Sequence, residues 1–336
     1  MSIQEDYKKP EYVLPPELST RPLDILALGS LVLEQVVNVR NWPIPGGQEV
    51  TPVTSIVYTA GGCALNVASY SSRMGAKAGV LSTIGGKQFC QEVWDEIERS
   101  GVDTTYLREF EDEDGSLIII IANPEGDWTV LDFLNRAILL REQDIPTTDD
   151  FCRTKLLHVD GFSYMSAGDK EAVICAVERA KQAGCVLSVD GSVPAAKEEP
   201  EFLASLYQRA DIVFANRFEA FSATNSQNED EAIEALQSLG PQLCVMKVGL
   251  DGSFVITPDC VARVPAYSVD VVDTVAAGDA YIGTLLHCLC QGIPLMQAAE
   301  RGSAAGALAC LGHGSLSSWF GMDDVEALLR RGPEKA

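Results

Sequence analysis

The pattern that most restricts this chain is a regular alternation, beginning near residue 154, of short apolar runs with longer amphipathic stretches. Leu156–Val159, Cys185–Asp190, Ile212–Ala215 and Leu243–Val248 read as buried strands. Between them Asp169–Ala183, Glu199–Arg209 and Glu229–Leu239 read as helices, and Asn228 with Glu231 three residues on forms a capping pair for the last. Apolar strands separated by helices imply right-handed crossovers and a mostly parallel sheet covered on both faces. Ligands of such sheets bind at the carboxyl ends of the strands.

The first half carries the same grammar with an interruption. Asp24–Gly29 is an apolar run ending in Gly-Ser, and Cys63–Met74 has helical spacing and stops at Gly75. Lys77–Ile84 is strand-like, and Lys87–Ser100 is an amphipathic helix closed by Gly101. Then Thr105–Phe110, Leu117–Ala122 and Trp128–Leu134 read as strands joined by tight turns at Asp114-Gly115 and Glu125-Gly126-Asp127, with the acidic run Glu111–Asp114 as a solvated hairpin cap. With Gln48–Tyr58 these strands are expected to form a small separate sheet. Residues 1–22, rich in Pro, Glu and Tyr at the start, are expected to be a tail or a packed arm.

Composition removes several classes of function. The 336 residues fit one large domain or two. With 25 Lys+Arg against 48 Asp+Glu the net charge is −23, a field that repels phosphate backbones and anionic lipid. No nucleic-acid or membrane partner is therefore expected. The strongest apolar run, Leu117–Ala122, falls far short of the roughly 20 residues a bilayer needs. The first residues lack a basic and then apolar leader, so a cytoplasmic protein is expected. The ten cysteines are scattered without a Cys-x-x-Cys pair and read as reduced, mostly packed thiols. His158, His287 and His313 are isolated and read as packed or surface residues.

The segment that carries chemistry is Val271–Gly283. A strand-like run ends at Asp273, small residues follow, and a helix runs from about Ala277 to Cys290. Small residues at a helix start leave backbone N–H groups open to an anion, and the helix dipole adds to the attraction. Asp279 falls in the first turn. A carboxylate there could simply complement the dipole. Beside a bound anion it makes sense only as a base taking a proton from a hydroxyl that attacks a phosphoryl group.

Asp273-Thr274-Val275-Ala276-Ala277-Gly278-Asp279, with Tyr281 and Gly283, resembles the C-terminal signature of the ribokinase-like, PfkB-type carbohydrate kinases. Ala60-Gly61-Gly62-Cys63-Ala64-Leu65-Asn66 resembles their N-terminal signature. The resemblance runs from about Leu23 to Leu329. It implies a three-layer α/β/α ribokinase-like domain, here 23–336, with a mostly parallel central sheet and a small β-sheet lid from strands within about 36–58 and 104–134. It also implies that Gly61 and Gly62 let a sugar approach the backbone and that Asn66 bonds its hydroxyls. A Gly pair before a helix is equally a tight turn. Asn216-Arg217-Phe218-Glu219 resembles the family's Asn-x-x-Glu motif, which organises magnesium through water; Glu219 could otherwise be a surface helix residue. Lys247-Val248-Gly249-Leu250-Asp251-Gly252 resembles its nucleotide loop.

One position departs from the ribokinase pattern. Where ribokinases carry an Asp that binds two sugar hydroxyls, this chain has Glu34, one methylene longer. Glu34 then either suits a different polyol or does not touch substrate. Asn135 stands where many members have a polar substrate-side residue. The expectation is an ATP- and Mg2+-dependent kinase acting on a hydroxyl, primary for preference, of a sugar or nucleoside. Asp279 is the base, and the N–H groups of Ala276, Ala277 and Gly278 form the anion hole. Asp273 and the loop at Gly314 could hold a monovalent cation such as potassium, and lid pairing could make a homodimer. A non-catalytic sugar or nucleoside sensor is the alternative. A dehydrogenase would need Gly-x-Gly-x-x-Gly after the first strand, and Gly29-Ser30-Leu31-Val32-Leu33-Glu34 lacks it.

Overall fold

The structure, a computed structural model, describes residues 9–43, 50–88, 90–124, 128–168 and 170–333. The Glu125–Asp127 turn, the first eight residues, Gln48–Glu49 and the helix start at Asp169 lie outside the described residues. The elements run β1 (Leu23–Leu28), β2 (Val32–Val39), β3 (Val53–Gly61), α1 (Cys63–Arg73), β4 (Ala78–Gly85), α2 (Gln91–Ser100), β5 (Asp103–Phe110), β6 (Ser116–Ala122) and β7 (Trp128–Phe133). They continue through α3 (Thr148–Phe151), β8 (Thr154–Val159), α4 (Lys170–Gln182), β9 (Val186–Asp190), α5 (Val193–Glu198), α6 (Pro200–Arg209), β10 (Ile212–Asn216), α7 (Arg217–Thr224) and α8 (Glu229–Ser238). The last are β11 (Leu243–Lys247), β12 (Ser253–Thr257), β13 (Cys260–Val264), α9 (Ala277–Cys290), α10 (Leu295–Ala309) and α11 (Met322–Arg331).

Nine strands form the central sheet in the order β13-β12-β11-β10-β9-β8-β1-β4-β5. All neighbours pair in parallel from β5 to β11, and the hairpin β12–β13 adds an antiparallel edge. One apolar layer packs α1, α2 and α9–α11 on one face; the other packs α3–α8 on the opposite face. The strands alternate between the layers, as the period of two requires: Ile25 and Ala27 enter the first, Leu26 and Leu28 the second. This is the expected three-layer α/β/α architecture. Before β1, Leu18 is buried and the Arg21 guanidinium donates to the carbonyls of Thr154 (2.7 Å) and Ala183 (2.6 Å), so this part of the leading arm is packed.

The second sheet has four strands, β3-β2-β6-β7, and forms the lid. Three expectations need correction. Thr105–Phe110 is not a lid strand: as β5 it pairs in parallel with β4 at the edge of the central sheet. Its many exposed residues give it a lid-like polar alternation, but the helix α2 before it makes it a crossover strand. The acidic run Glu111–Asp114 therefore bridges two sheets rather than capping a hairpin. The lid takes Val32–Val39 instead, which pairs with both β3 and β6. Val271–Asp273 is also not a strand; it is a loop leading into α9.

Helix α9 sits in the middle of the first layer, and residues 279–289 are all buried. Glycines set its distances. A Cβ at Gly283 would stand 2.8 Å from the Val67 carbonyl of α1, and one at Gly306 would stand 3.0 Å from the Ala277 carbonyl. Close packing on both flanks fixes where the first turn of α9 points.

Candidate active site

The carboxyl ends of five adjacent strands converge on that first turn. Ser30 follows β1, Asp160 follows β8, Asp190 ends β9, Asn216 ends β10 and Lys247 ends β11. Asp279 faces them from α9 and is 7% exposed. Asn66, one turn into α1, donates from Nδ2 to Asp279 Oδ2 at 2.7 Å, and the Cys63 thiol donates to the same carboxylate. Burial and the nearby Asp190 push Asp279 up to about 6, against the pull of those donors. At neutral pH it is an ionised carboxylate with affinity for a proton, which is what a base near pH 7 requires.

The helix start beside it is open. Ala276 adopts φ +60°, a left-handed conformation rare for a residue with a side chain, and turns the chain into α9. The first-turn N–H groups of Gly278 and Asp279 have no acceptor among the described residues, while that of Ala277 makes a long bond to the Thr274 carbonyl at 3.3 Å. A Cβ on Gly278 would lie 3.3 Å from the ammonium of Lys247. That ammonium pairs with both oxygens of Asp190, at 3.0 and 3.2 Å. Burial alone would lower Lys247, but Asp190, Glu219 and Asp279 outweigh it and hold it above its ordinary value. A cation and free amides thus lie together beside the Asp279 carboxylate.

A profile of the pfkB family carbohydrate kinases matches residues 23–319. The chain belongs to this family. It is 29% identical to a 5-dehydro-2-deoxygluconokinase of Halalkalibacterium halodurans, covering 94% of this chain and 97% of that one. It is 25% identical to a probable chloroplastic fructokinase-6 of Arabidopsis thaliana, covering 91% and 82%. In fold it is similar to a putative ribokinase II from E. coli solved with ATP and Mg2+, at TM-score 0.81 and 20% identity over 92% of this chain and 99% of that one. The pfkB kinase is thus a ribokinase-fold sugar kinase.

Within this pfkB kinase the residues around the site fall into three groups, the first two singled out by sequence. Asp279, Gly278, Lys247, Asn66, Gly61, Gly62 and Glu34 gather around the α1 and α9 starts. Gly62 has φ +96°, and its missing Cβ would otherwise sit 2.3 Å from the Ser30 carbonyl. Gly61 makes room for Glu34, whose Oε1 lies 2.0 Å from where a Cβ would be. Glu34 is buried on lid strand β2 and accepts from the backbone N–H (3.0 Å) and the hydroxyl of Ser315. Burial, with Asp279 and Asp273 nearby, pushes Glu34 up to about 7.

A second group is tied into its own backbone. Glu219 is buried, not on the surface, and caps α7: its Oε2 accepts from Asn216 N–H at 2.7 Å, while its own N–H donates to Asn216 Oδ1 at 2.9 Å. Burial and Asp190 push it up to about 7. Gly252 serves the hairpin, where a Cβ would meet the Val264 carbonyl at 2.0 Å, and Gly249 turns the loop at φ +65°. Asn135 accepts from Ala137 N–H at 3.0 Å and donates to the Asp114 carbonyl at 2.8 Å, so both ends of its side chain serve loop backbone. Asp273 accepts from Val275 N–H and, at 2.9 Å, from Gly314 N–H, bringing together the two segments paired by the sequence reading.

The third group was missed. Asp160 is fully buried, takes N–H bonds from Ser30 (3.0 Å) and Phe162 (2.8 Å), and is pushed up to about 7 by burial. Asp190 and Ser315 were missed as well. A signal existed for the aspartates: two predicted strands end in Asp-Gly, at 160–161 and 190–191. The two turns touch, since a Cβ at Gly161 would strike Gly191.

Proposed function

We propose that the chain transfers the γ-phosphoryl group of ATP to a primary hydroxyl of a sugar or nucleoside, with Asp279 as general base. The observation that carries this is the placement of Asp279, held by Asn66 at 2.7 Å, in the same helix turn whose free N–H groups lie beside Lys247. The acceptor hydroxyl gives its proton to Asp279 as its oxygen bonds to the γ-phosphorus. The bond from that phosphorus to the bridging oxygen breaks, and ADP leaves with the electron pair. The N–H groups of Gly278 and its neighbours Ala276 and Ala277, with Lys247, stabilise the charge on the transferring oxygens. A sensor has no use for a base so positioned.

The oxygen-only donor set at the nucleotide end suits magnesium, with Glu219 and Asn216 reaching it through water. Bound there, magnesium neutralises phosphate charge. The loop from Lys247 to Gly252 lies along the nucleotide, and Glu34, Gly61, Gly62 and Asn66 line the acceptor side. Asp273 with the Gly314 loop is the place for a monovalent cation, and equal rates in sodium and potassium buffers would remove that role. ATP as donor and ten free thiols suit a cytoplasmic setting.

The lid supports a dimer. Its face away from Glu34 exposes Ile56, Tyr58, Leu131 and Phe133, an apolar surface fit for a second copy. Light scattering of the intact chain and of Tyr58→Asp tests this; a wild-type monomer sinks it. Release of ADP dependent on an added sugar or nucleoside tests the reaction itself.

A further inference from the structure

The relatives named above include a kinase whose name denotes an acid sugar and one named for a neutral ketose. The pocket discriminates between these two chemistries by charge. Around the starts of α1 and α9 stand Glu34, Asp160, Asp190 and Asp279, all under 10% exposed. Asp279 acts through space on both Glu34 and Asp160, and Asp190 acts on Asp279. The cation acting on this set is Lys247, and it is already bidentate to Asp190 on the phosphoryl side.

The lid offers nothing to offset this. Side chains alternate along its strands, so the face that carries Glu34 also carries Val36, Val57, Ile118, Ile120 and Asp132. Among the described residues of that face there is no lysine or arginine. Arg136, on the turn after β7, is exposed.

We propose that the acceptor is a neutral polyhydroxy compound, a ketose, pentose, polyol or nucleoside, and that sugars bearing a carboxylate are rejected. The inference rests on the kinase reading and narrows its substrate. Hydroxyl groups can donate to the crowded carboxylates, each bond easing their mutual repulsion. A substrate carboxylate adds a further like charge in a site of low dielectric, where repulsion is strong.

The test is ADP release by the intact chain on matched pairs: L-sorbose against 5-keto-D-gluconate, and D-ribose against D-ribonate. The neutral member should lead by at least about 100-fold in kcat/KM, equivalent to about 2.7 kcal/mol. Glu34→Gln should narrow the gap, and Arg136→Ala should leave it unchanged. An acid within tenfold of its neutral partner, or an acid rate that collapses in Arg136→Ala, overturns the proposal. If no sugar releases ADP, the kinase reading fails separately, and thermal-shift binding of the same pairs decides the pocket's preference. Neutral binding without acid binding upholds it; binding of the acids, or of neither, overturns it.

Discussion

Buried charge appears at both ends of the central sheet, and the two ends treat it differently. At the amino end Lys155 meets Asp24 at 2.7 Å, the other Asp24 oxygen takes the Lys77 N–H at 2.9 Å, and Arg21 spends its donors on carbonyls. Each charge there has its partner. At the carboxyl end Asp160, Asp190, Glu219 and Asp279 share one lysine, and burial raises Asp160, Glu219 and Asp279 to between about 6 and about 7. Burial of charge therefore does not by itself mark a site. An imbalance that the fold leaves uncorrected does, because it is relieved only by hydroxyl donors, protons or a metal ion that arrive with substrate.

The sharpest break in this comparison is Asp279→Asn. Turnover should fall by about 10²–10⁴-fold, while the melting temperature at pH 7.5 holds or rises, since a repelling charge is gone. An unchanged rate would remove Asp279 from the role of base. Asp24→Asn should do the reverse. It strands a buried ammonium and should cost about 3–5 kcal/mol in urea unfolding, with kcat of the folded fraction intact; a loss of kcat would join the two ends functionally.

The imbalance also predicts opposed pH slopes. Glu34, Asp160 and Glu219 lie at about 7 in the folded chain, against about 4 when unfolded. The folded state then binds more protons than the unfolded state between those values, so stability falls as pH rises from about 4 to about 7. With Asp279 as the proposed base, activity should rise through about pH 6 as that carboxyl ionises. Melting curves and initial rates from pH 5 to 8 test this, and a melting temperature that climbs with pH across that range refutes it. The smallest effect concerns Ala276, at φ +60°. Ala276→Gly should add about 1 kcal/mol of stability by relieving left-handed strain, with turnover unchanged within twofold if the helix start keeps its place.

Much of this molecule was legible residue by residue. The apolar runs became β8 to β11, the small-residue stretch became the head of α9, and Asn228 caps α8 by accepting the Glu231 N–H at 3.0 Å. What escaped was pairing. Nothing in Asp103–Phe110 says which sheet it joins, because an edge strand of one sheet and a strand of another expose the same alternation. Asn66 was read toward the sugar, and nothing local says that its amide also bonds the Asp279 carboxylate, a contact spanning 213 positions. Glu34 was read as reaching substrate or idle, and it grips Ser315 across 281 positions.

Sequence alone determined the parallel architecture and the small-residue start of α9 with Asp279 in its first turn, because both are written in local periodicity and local residue size. Only the tertiary structure decided that Asp160 and Asp190 crowd the same pocket, that Lys247 is its cation, and that the lid roof carries no cation among its described residues. Those are facts of distance between segments far apart in the chain, and electrostatics in a buried pocket depends on distance, which residue order does not encode.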